Sequence, residues 1–159
     1  MSGPARPVVT LEEDPARKRR VQEALTALLG DWFGQPESNL HYAQQAETLP
    51  GFVAELSGQA KGLLLLKRSS PISSEVYWMG VDPACHRCGI GHALVEAASG
   101  AARRDGVQFL FVATLHPSAD YEPYRRTQHF YEALGFRFVL EEQFPDPENP
   151  MAFYMKSLV

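Results

Sequence analysis

Apolar residues that recur three and four positions apart predict four helices in this chain. The predicted helices cover residues 14–34, 38–46, 89–106 and 120–135. Asp14, Ser38 and Asp120 are the expected N-caps, because a short polar side chain there accepts a hydrogen bond from the first helical turn. Glycines at positions 106 and 135 are expected to end the last two helices.

Short apolar or alternating runs between these helices predict seven strands. The predicted strands cover residues 8–11, 52–56, 60–67, 75–82, 107–114, 136–142 and 151–156. The Ser57-Gly58-Gln59 link predicts a hairpin between the second and third strands, and residues 69–74 are expected to form a polar connection. In the fourth strand, Glu75, Tyr77, Met79 and Val81 share one face because side chains alternate along a strand. The strand, helix and strand that follow favour a right-handed βαβ crossover with parallel strands.

Composition narrows the class of protein. The 159 residues contain no internal repeat, so we expect one mixed α/β (α+β) domain over residues 1–159. A net charge of −4 argues against nucleic acid as a partner, and the basic run at 17–20 is expected to be a solvated helix face. The longest aliphatic run, residues 63–66, is too short to cross a membrane. Two cysteines and an N-terminus without an apolar leader lead us to expect a cytoplasmic protein.

Residues 81–94, with the sequence VDPACHRCGIGHAL, are the most informative segment of the chain. Here a predicted strand turns into a loop with two glycines, Gly89 and Gly91, and a helix begins. Glycine lets the backbone approach a ligand closely, and the free N–H groups of the first helical turn favour an anion. The segment therefore predicts a phosphate-binding loop, although it fits neither the Walker A nor the three-glycine Rossmann pattern.

Two motifs in this order resemble the GNAT superfamily of N-acetyltransferases. The acetyl-CoA signature of that family, Arg or Gln followed by two residues, Gly, one residue, and Gly or Ala, falls on residues 86–91, just after Val81-Asp82-Pro83. The sequence FYEALGF at 130–136 is similar to the family's C-terminal motif. Two positions depart from the family pattern: His86 stands where Arg or Gln is usual, and Tyr124 replaces a frequent Asn.

The resemblance implies a GNAT-like fold, a mixed and mostly antiparallel sheet whose parallel central strands splay to admit acetyl-CoA. It also implies acetyl transfer from acetyl-CoA to a primary amine of a small molecule, peptide or protein, by direct attack and without a metal. The residues implied to bind the cofactor lie at the end of the fourth strand and in the loop after it. They are Met79, Gly80, Val81, His86, Arg87, Cys88, Gly89, Ile90, Gly91 and His92.

Two catalytic residues follow from the same resemblance. Tyr131 lies at the motif position where the family frequently has a general acid, which protonates the departing thiolate. The alternative is that Tyr131 is a structural tyrosine of the core. Glu75 lies where some family members carry a glutamate that acts as base, directly or through water. There are two alternatives to that role. A chain of water molecules could take the proton without any single base, or Glu75 could be a solvated residue with no catalytic role.

Three other interpretations stay open at this point. The protein could bind an acyl-CoA as a non-catalytic sensor module. Cys85 and Cys88 form a C-x-x-C pair that suggests zinc or redox chemistry, but a zinc site needs four ligands and no second cysteine pair exists. Neither the acceptor amine nor a homodimer, which is common in the family, can be assigned from these residues.

Overall fold

The computed structural model describes residues 3–142 and 146–159. Within these ranges the chain forms seven strands and four helices of more than one turn. The strands are β1 (Val8–Glu12), β2 (Gly51–Leu56), β3 (Gln59–Ser70), β4 (Ser73–Val81), β5 (Phe109–Leu115), β6 (Arg137–Glu141) and β7 (Met151–Ser157). The helices are α1 (Pro15–Leu28), α2 (Pro36–Thr48), α3 (Ile90–Arg104) and α4 (Glu122–Ala133).

All seven strands belong to one sheet, in the order β1-β2-β3-β4-β5-β7-β6. The pairs β1–β2, β2–β3, β5–β7 and β6–β7 are antiparallel, whereas β4 and β5 are parallel. The parallel register joins Ser73, Ser74 and Glu75 to Phe109, Leu110 and Phe111, and both strands continue beyond it. This mixed, mostly antiparallel sheet confirms the predicted fold class.

Several predicted boundaries are wrong, and each has a local reason. Helix α1 begins at Asp14 as predicted, since Asp14 Oδ1 accepts a hydrogen bond from Ala16 N at 3.0 Å, but it ends at Leu28 rather than before Gly34. The connection expected at 69–74 is instead a tight turn, because β3 runs to Ser70 and β4 starts at Ser73.

Two predicted N-caps are also wrong. Helix α2 starts at Pro36, two residues before Ser38, since proline is well suited to the first helical position. Helix α4 starts at Glu122, and Asp120 instead adopts φ +48° at the end of a preceding short 3₁₀ turn. Aspartate tolerates this left-handed conformation better than most residues.

The described chain groups into two compact units, and the first comprises Met1–Lys67 and Trp78–Ala101. It contains β1, β2, most of β3, the end of β4, α1, α2 and most of α3. Its β2–β3 hairpin has the predicted tight turn, with positive φ at Ser57 (52°) and Gly58 (79°). The core of this unit is mainly aliphatic, with Phe52 and Trp78 as its buried aromatic side chains. Its most buried side chains include Leu25, Ala46, Val53, Leu63, Leu65, Ile90 and Leu94.

The second unit comprises Arg68–Tyr77 and Ala102–Val159. It contains the start of β4, the strands β5, β6 and β7, and helix α4. The core of this unit is more aromatic than that of the first. Its buried side chains include Leu110, Val112, Tyr131, Phe136 and Tyr154. Across the described residues, no helix is long and apolar enough to cross a membrane.

Candidate functional site

The end of β4 and the start of α3 are joined by a loop that several polar contacts hold in place. Asp82 caps a short 3₁₀ turn, Pro83–Cys85, by accepting a hydrogen bond at Oδ1 from Ala84 N at 2.9 Å. Its other oxygen, Oδ2, lies 3.2 Å from Lys61 Nζ on β3, and Asp82 N donates to Lys61 O at 2.8 Å. The hydrogen bond from Ala84 and the neighbouring Lys61 ammonium lower the pKa of the Asp82 carboxyl, so the brace is ionised at neutral pH.

His86, an exposed residue, braces the same loop. Its Nε2 atom lies 2.9 Å from the carbonyl oxygen of Val81, and its ring meets the indole of Trp32 edge-on at 5.7 Å between ring centres. A carbonyl only accepts, so Nε2 carries the proton in this contact. In the neutral imidazole Nδ1 is then an acceptor, so it cannot donate a hydrogen bond to a phosphate oxygen.

Helix α3 presents free backbone donors at its first turn. Gly89, with φ +77°, makes the sharp turn into the helix, and the first helical hydrogen bond runs from Ala93 N to Gly89 O. Helical geometry leaves the N–H groups of Gly89, Ile90, Gly91 and His92 without partners inside the helix. Four consecutive amides at the positive end of a 15-residue helix form a site suited to an anion such as pyrophosphate.

The position of α3 is fixed by close packing on β3. A Cβ atom on Gly62 would lie 2.7 Å from Ile90 Cγ2 and 3.0 Å from Leu94 Cδ1. Both contacted side chains are fully buried, at 1% and 0% exposure, so they cannot turn away into solvent. The helix that carries the loop therefore rests directly on the strand backbone at Gly62.

The last residues of β4 are part of the same unit as the loop. Side chains alternate along β4 as predicted: Glu75, Tyr77, Met79 and Val81 are partly exposed, and the residues between them are buried. Met79, Gly80 and Val81 take no part in the β4–β5 register. On the buried face the indole of Trp78 covers Gly80 and stacks on Phe33, with 5.1 Å between ring centres.

Tyr131 lies in the second unit, in the last turns of α4. It is 4% exposed and makes edge contacts with Phe130 and Phe136, with 5.1 and 5.2 Å between ring centres. Gly135, with φ +94°, ends the helix, and Phe136 N donates to Tyr131 O at 3.0 Å. Burial raises the pKa of the Tyr131 phenol far above its ordinary value, so the hydroxyl keeps its proton at neutral pH.

Glu75 also lies in the second unit, on β4, where it pairs with Phe111 of β5 at the end of the parallel register. Its side chain is partly buried. The structure therefore places the two catalytic candidates on different elements of one unit. The ten cofactor-binding candidates lie together in the other unit, at the end of β4, in the loop and at the start of α3.

Sequence reasoning missed the side chains that hold the loop. Lys61 and Trp32 are distant in sequence, and no spacing rule links either residue to the loop that it contacts. Asp82 could have been found, because Asp followed by Pro is a common start of a helical turn.

The zinc interpretation of Cys85 and Cys88 finds no support in the described residues. Nowhere in residues 3–142 and 146–159 do three or more His, Cys, Asp or Glu side chains gather in a way that could hold a metal ion. Both cysteines are free thiols; Cys85 is buried and Cys88 is exposed.

The comparisons with known proteins agree with this geometry. A family model described as "Acetyltransferase (GNAT) domain" matches residues 48–138. A mycothiol acetyltransferase from Propionibacterium freudenreichii subsp. shermanii is 31% identical over 133 residues, which cover 81% of this chain but 36% of that protein. The chain therefore spans about a third of the length of this curated relative.

Solved structures share the fold at low sequence identity. A protein assigned to the GNAT acetyltransferase family from Desulfovibrio desulfuricans superposes with a TM-score of 0.80 at 19% identity, covering 96% of this chain and 99% of that one. A GNAT family acetyltransferase from Elizabethkingia anophelis with acetyl-CoA bound gives a TM-score of 0.66 at 14% identity, covering 95% and 97%. On the match of its residues 48–138, more than half its length, this chain belongs to the GNAT acetyltransferase family.

Proposed function

We propose that this protein is an acetyl-CoA-dependent N-acetyltransferase that transfers an acetyl group to a primary amine. The proposal rests on one observation, the structure of the loop after β4. The loop ends at four free backbone donors at the start of α3, and contacts of Asp82, Lys61 and His86 hold its beginning in place. A loop held in this way before the ligand arrives loses little conformational entropy on binding. Membership of the GNAT family supports acetyl-CoA as the anion bound there.

In the proposed complex, backbone groups hold most of the coenzyme. The amides of Gly89, Ile90, Gly91 and His92 face the pyrophosphate, and the side chain of Arg87 adds a positive charge beside it. His86 acts as a brace for the loop, and its bond to Val81 makes up for the missing Arg or Gln. Backbone groups of Met79, Gly80 and Val81, which are outside the β4–β5 register, hold the pantetheine arm as an added strand would.

The proposed reaction is a direct displacement at the acetyl carbonyl. The neutral amine nitrogen attacks the carbonyl carbon, the C–S bond breaks, and the thiolate takes the proton of Tyr131. Burial keeps the Tyr131 phenol protonated at neutral pH, so the proton is in place when the C–S bond breaks. Because burial also raises the pKa of the phenol above that of a thiol, this role requires that bound substrate or water stabilise the phenolate. The attacking nitrogen loses its proton to Glu75, either directly or through water, and that proton restores Tyr131 through solvent at the end of the cycle.

A turnover assay separates this proposal from the alternative of a non-catalytic acyl-CoA-binding module. Acetyl-CoA is added with and without a pool of amines, including amino acids, polyamines, aminoglycosides and peptide N-termini, and release of the free thiol of CoA is followed. The proposal expects release that depends on an amine and saturates with acetyl-CoA. Calorimetric binding of acetyl-CoA without amine-dependent release would support the binding module instead.

A further inference from the structure

Cys85 and Cys88 lie at the two ends of one tight turn inside the loop. Cys88 N donates a hydrogen bond to Cys85 O at 3.1 Å. A turn closed by this i to i+3 bond keeps its end Cα atoms within about 7 Å, and a disulfide needs a Cα separation of about 4.4–6.8 Å. The backbone of the turn therefore already holds the two cysteines within the range that a disulfide spans.

The two thiols differ in their access to solvent. Cys88 is exposed, whereas Cys85 is 8% exposed and lies under the turn. Burial and the neighbouring Cys88 raise the pKa of the Cys85 thiol, so Cys85 is unreactive by itself. An oxidant meets Cys88 first, and Cys85 is the only cysteine left in the chain to react with the product.

We propose that Cys85 and Cys88 form a redox modification site, which a peroxide oxidises to a disulfide that weakens acetyl-CoA binding. In the first step the Cys88 sulfur attacks the peroxide, the O–O bond breaks, and Cys88 becomes a sulfenic acid while the peroxide leaves as water or an alcohol. In the second step Cys85 sulfur attacks Cys88 sulfur and water leaves. Two thiols lose two electrons and two protons, and the peroxide takes up both.

The disulfide would close within the loop that we propose binds acetyl-CoA. His86 and Arg87 lie inside the ring that the disulfide creates, and Gly89 begins immediately after it. To bring the sulfurs to bonding distance, either Cys85 leaves its buried position or the backbone at Cys88 moves. A movement of the Cys88 backbone shifts the adjoining amides at the start of α3, and loss of one hydrogen bond to a charged phosphate lowers affinity by at least about tenfold. This inference rests on the proposed binding of acetyl-CoA at the loop.

Two measurements on the full chain test the proposal. Peptide mass spectrometry after treatment with hydrogen peroxide should find a Cys85–Cys88 disulfide. Calorimetry should show acetyl-CoA affinity at least about tenfold weaker in the oxidised protein than in the reduced one, with recovery after dithiothreitol. Recovery excludes sulfinic acid, which dithiothreitol does not reduce.

Cys85→Ala is the matched variant, since Cys85 is outside the proposed binding residues. It should bind acetyl-CoA as the reduced protein does, and its Cys88 should form no intramolecular disulfide. A disulfide that leaves affinity unchanged, or the absence of a disulfide in protein that binds acetyl-CoA, would overturn the redox proposal. If the reduced protein fails to bind acetyl-CoA, the proposed function falls, and the proposed switch falls with it even where mass spectrometry finds the disulfide.

Discussion

At the scale of single residues, the phenol of Tyr131 is buried and carries the proton that the proposed general-acid role requires. Its burial against Phe130 and Phe136 excludes water, and the resulting rise in pKa keeps it protonated. The same burial would also suit a purely structural tyrosine. Only a change that removes the hydroxyl and keeps the ring can distinguish the two roles.

Tyr131→Phe should lower kcat by about 10²- to 10⁴-fold, the range for loss of a general acid, and leave acetyl-CoA affinity close to its original value. Steady-state kinetics and calorimetry measure the two quantities. Tyr154→Phe is the control, because Tyr154 is a second buried tyrosine of the same unit, 2% exposed and also with a raised pKa. Equal turnover of wild type and Tyr131→Phe across the pH range would show that the hydroxyl is not the acid.

Gly89 and Gly58 provide a matched pair for testing the loop. Both have positive φ, 77° and 79°, and a Cβ atom on either would meet nothing within 4 Å. Alanine at each site therefore adds the same strain, about 1–2 kcal/mol, with no clash. If the loop relaxes in Gly89→Ala to relieve that strain, binding of acetyl-CoA must restore the strained conformation. The affinity for acetyl-CoA should then fall about 5- to 30-fold. Gly58→Ala, in the β2–β3 hairpin, should leave affinity unchanged, and equal losses in both variants would contradict a role for the loop.

At the scale of elements, the fit of α3 on β3 sets where the loop lies. Because Ile90 and Leu94 press on the β3 backbone at Gly62, even a methyl group there must displace the helix. The residues that contact β3, Ile90 and Leu94, lie in the first two turns of α3, next to the amides that we propose bind the coenzyme. If these amides bind the coenzyme, this packing couples the stability of the fold to coenzyme binding.

Gly62→Ala should destabilise the fold by about 1–3 kcal/mol, as overpacking of a core does. For a chain of this size that corresponds to a fall in Tm of about 2–4 °C per kcal/mol. Differential scanning calorimetry measures the shift, and Gly30→Ala is the control, since a Cβ atom at Gly30 meets nothing within 4 Å. Unchanged Tm in Gly62→Ala would mean that α3 tolerates displacement from β3.

The sequence predicted the elements well where periodicity and end signals agree. Strand β4, helix α3 and the β2–β3 hairpin lie where the pattern places them. The prediction failed where an apolar stripe continued beyond the end of a helix: Trp32 and Phe33 fit the stripe of α1, yet they lie after it and pack on His86 and Trp78. Such contacts between distant residues, like that of Lys61 with Asp82, have no local signal in a single sequence.

The site was predictable only in part for the same reason. The two motifs placed the loop and Tyr131 on the correct elements, because each motif is a contiguous run of residues. The brace by His86 depends on a side-chain bond to Val81, which the sequence does not reveal. The role of Glu75 stays a prediction, and so does the choice of acceptor, which we expect the N-terminal helices and the FPDPENP segment at 144–150 to determine. Phe144 and Pro145 of that segment lie outside the described residues.

At the scale of the whole molecule, burial of tyrosine links global stability to alkaline pH. Burial raises the pKa of Tyr131 and of Tyr154 above the ordinary value of 10.0. The folded state therefore holds these protons more tightly than the unfolded state does. Their contribution to stability is complete below about pH 10 and is lost as the pH rises from there towards the folded-state values.

We expect the free energy of unfolding to fall with pH above about 10, and to fall less steeply in Tyr131→Phe. Urea unfolding at a series of pH values from 8 to about 11 gives the two slopes. The variant should keep some slope because Tyr154 remains. Parallel curves for wild type and variant would show that the Tyr131 hydroxyl is not buried in the folded protein.

Isotope labelling shows whether this member of the GNAT family moves an acetyl group from acetyl-CoA to an amine. The protein is incubated with acetyl-CoA labelled with carbon-13 in the acetyl group and with the pooled amines, and the products are identified by mass spectrometry. We expect a labelled N-acetyl product, with one molecule of free CoA released for each molecule formed. Bound acetyl-CoA that stays intact in the presence of every amine in the pool, with no labelled product, would contradict it.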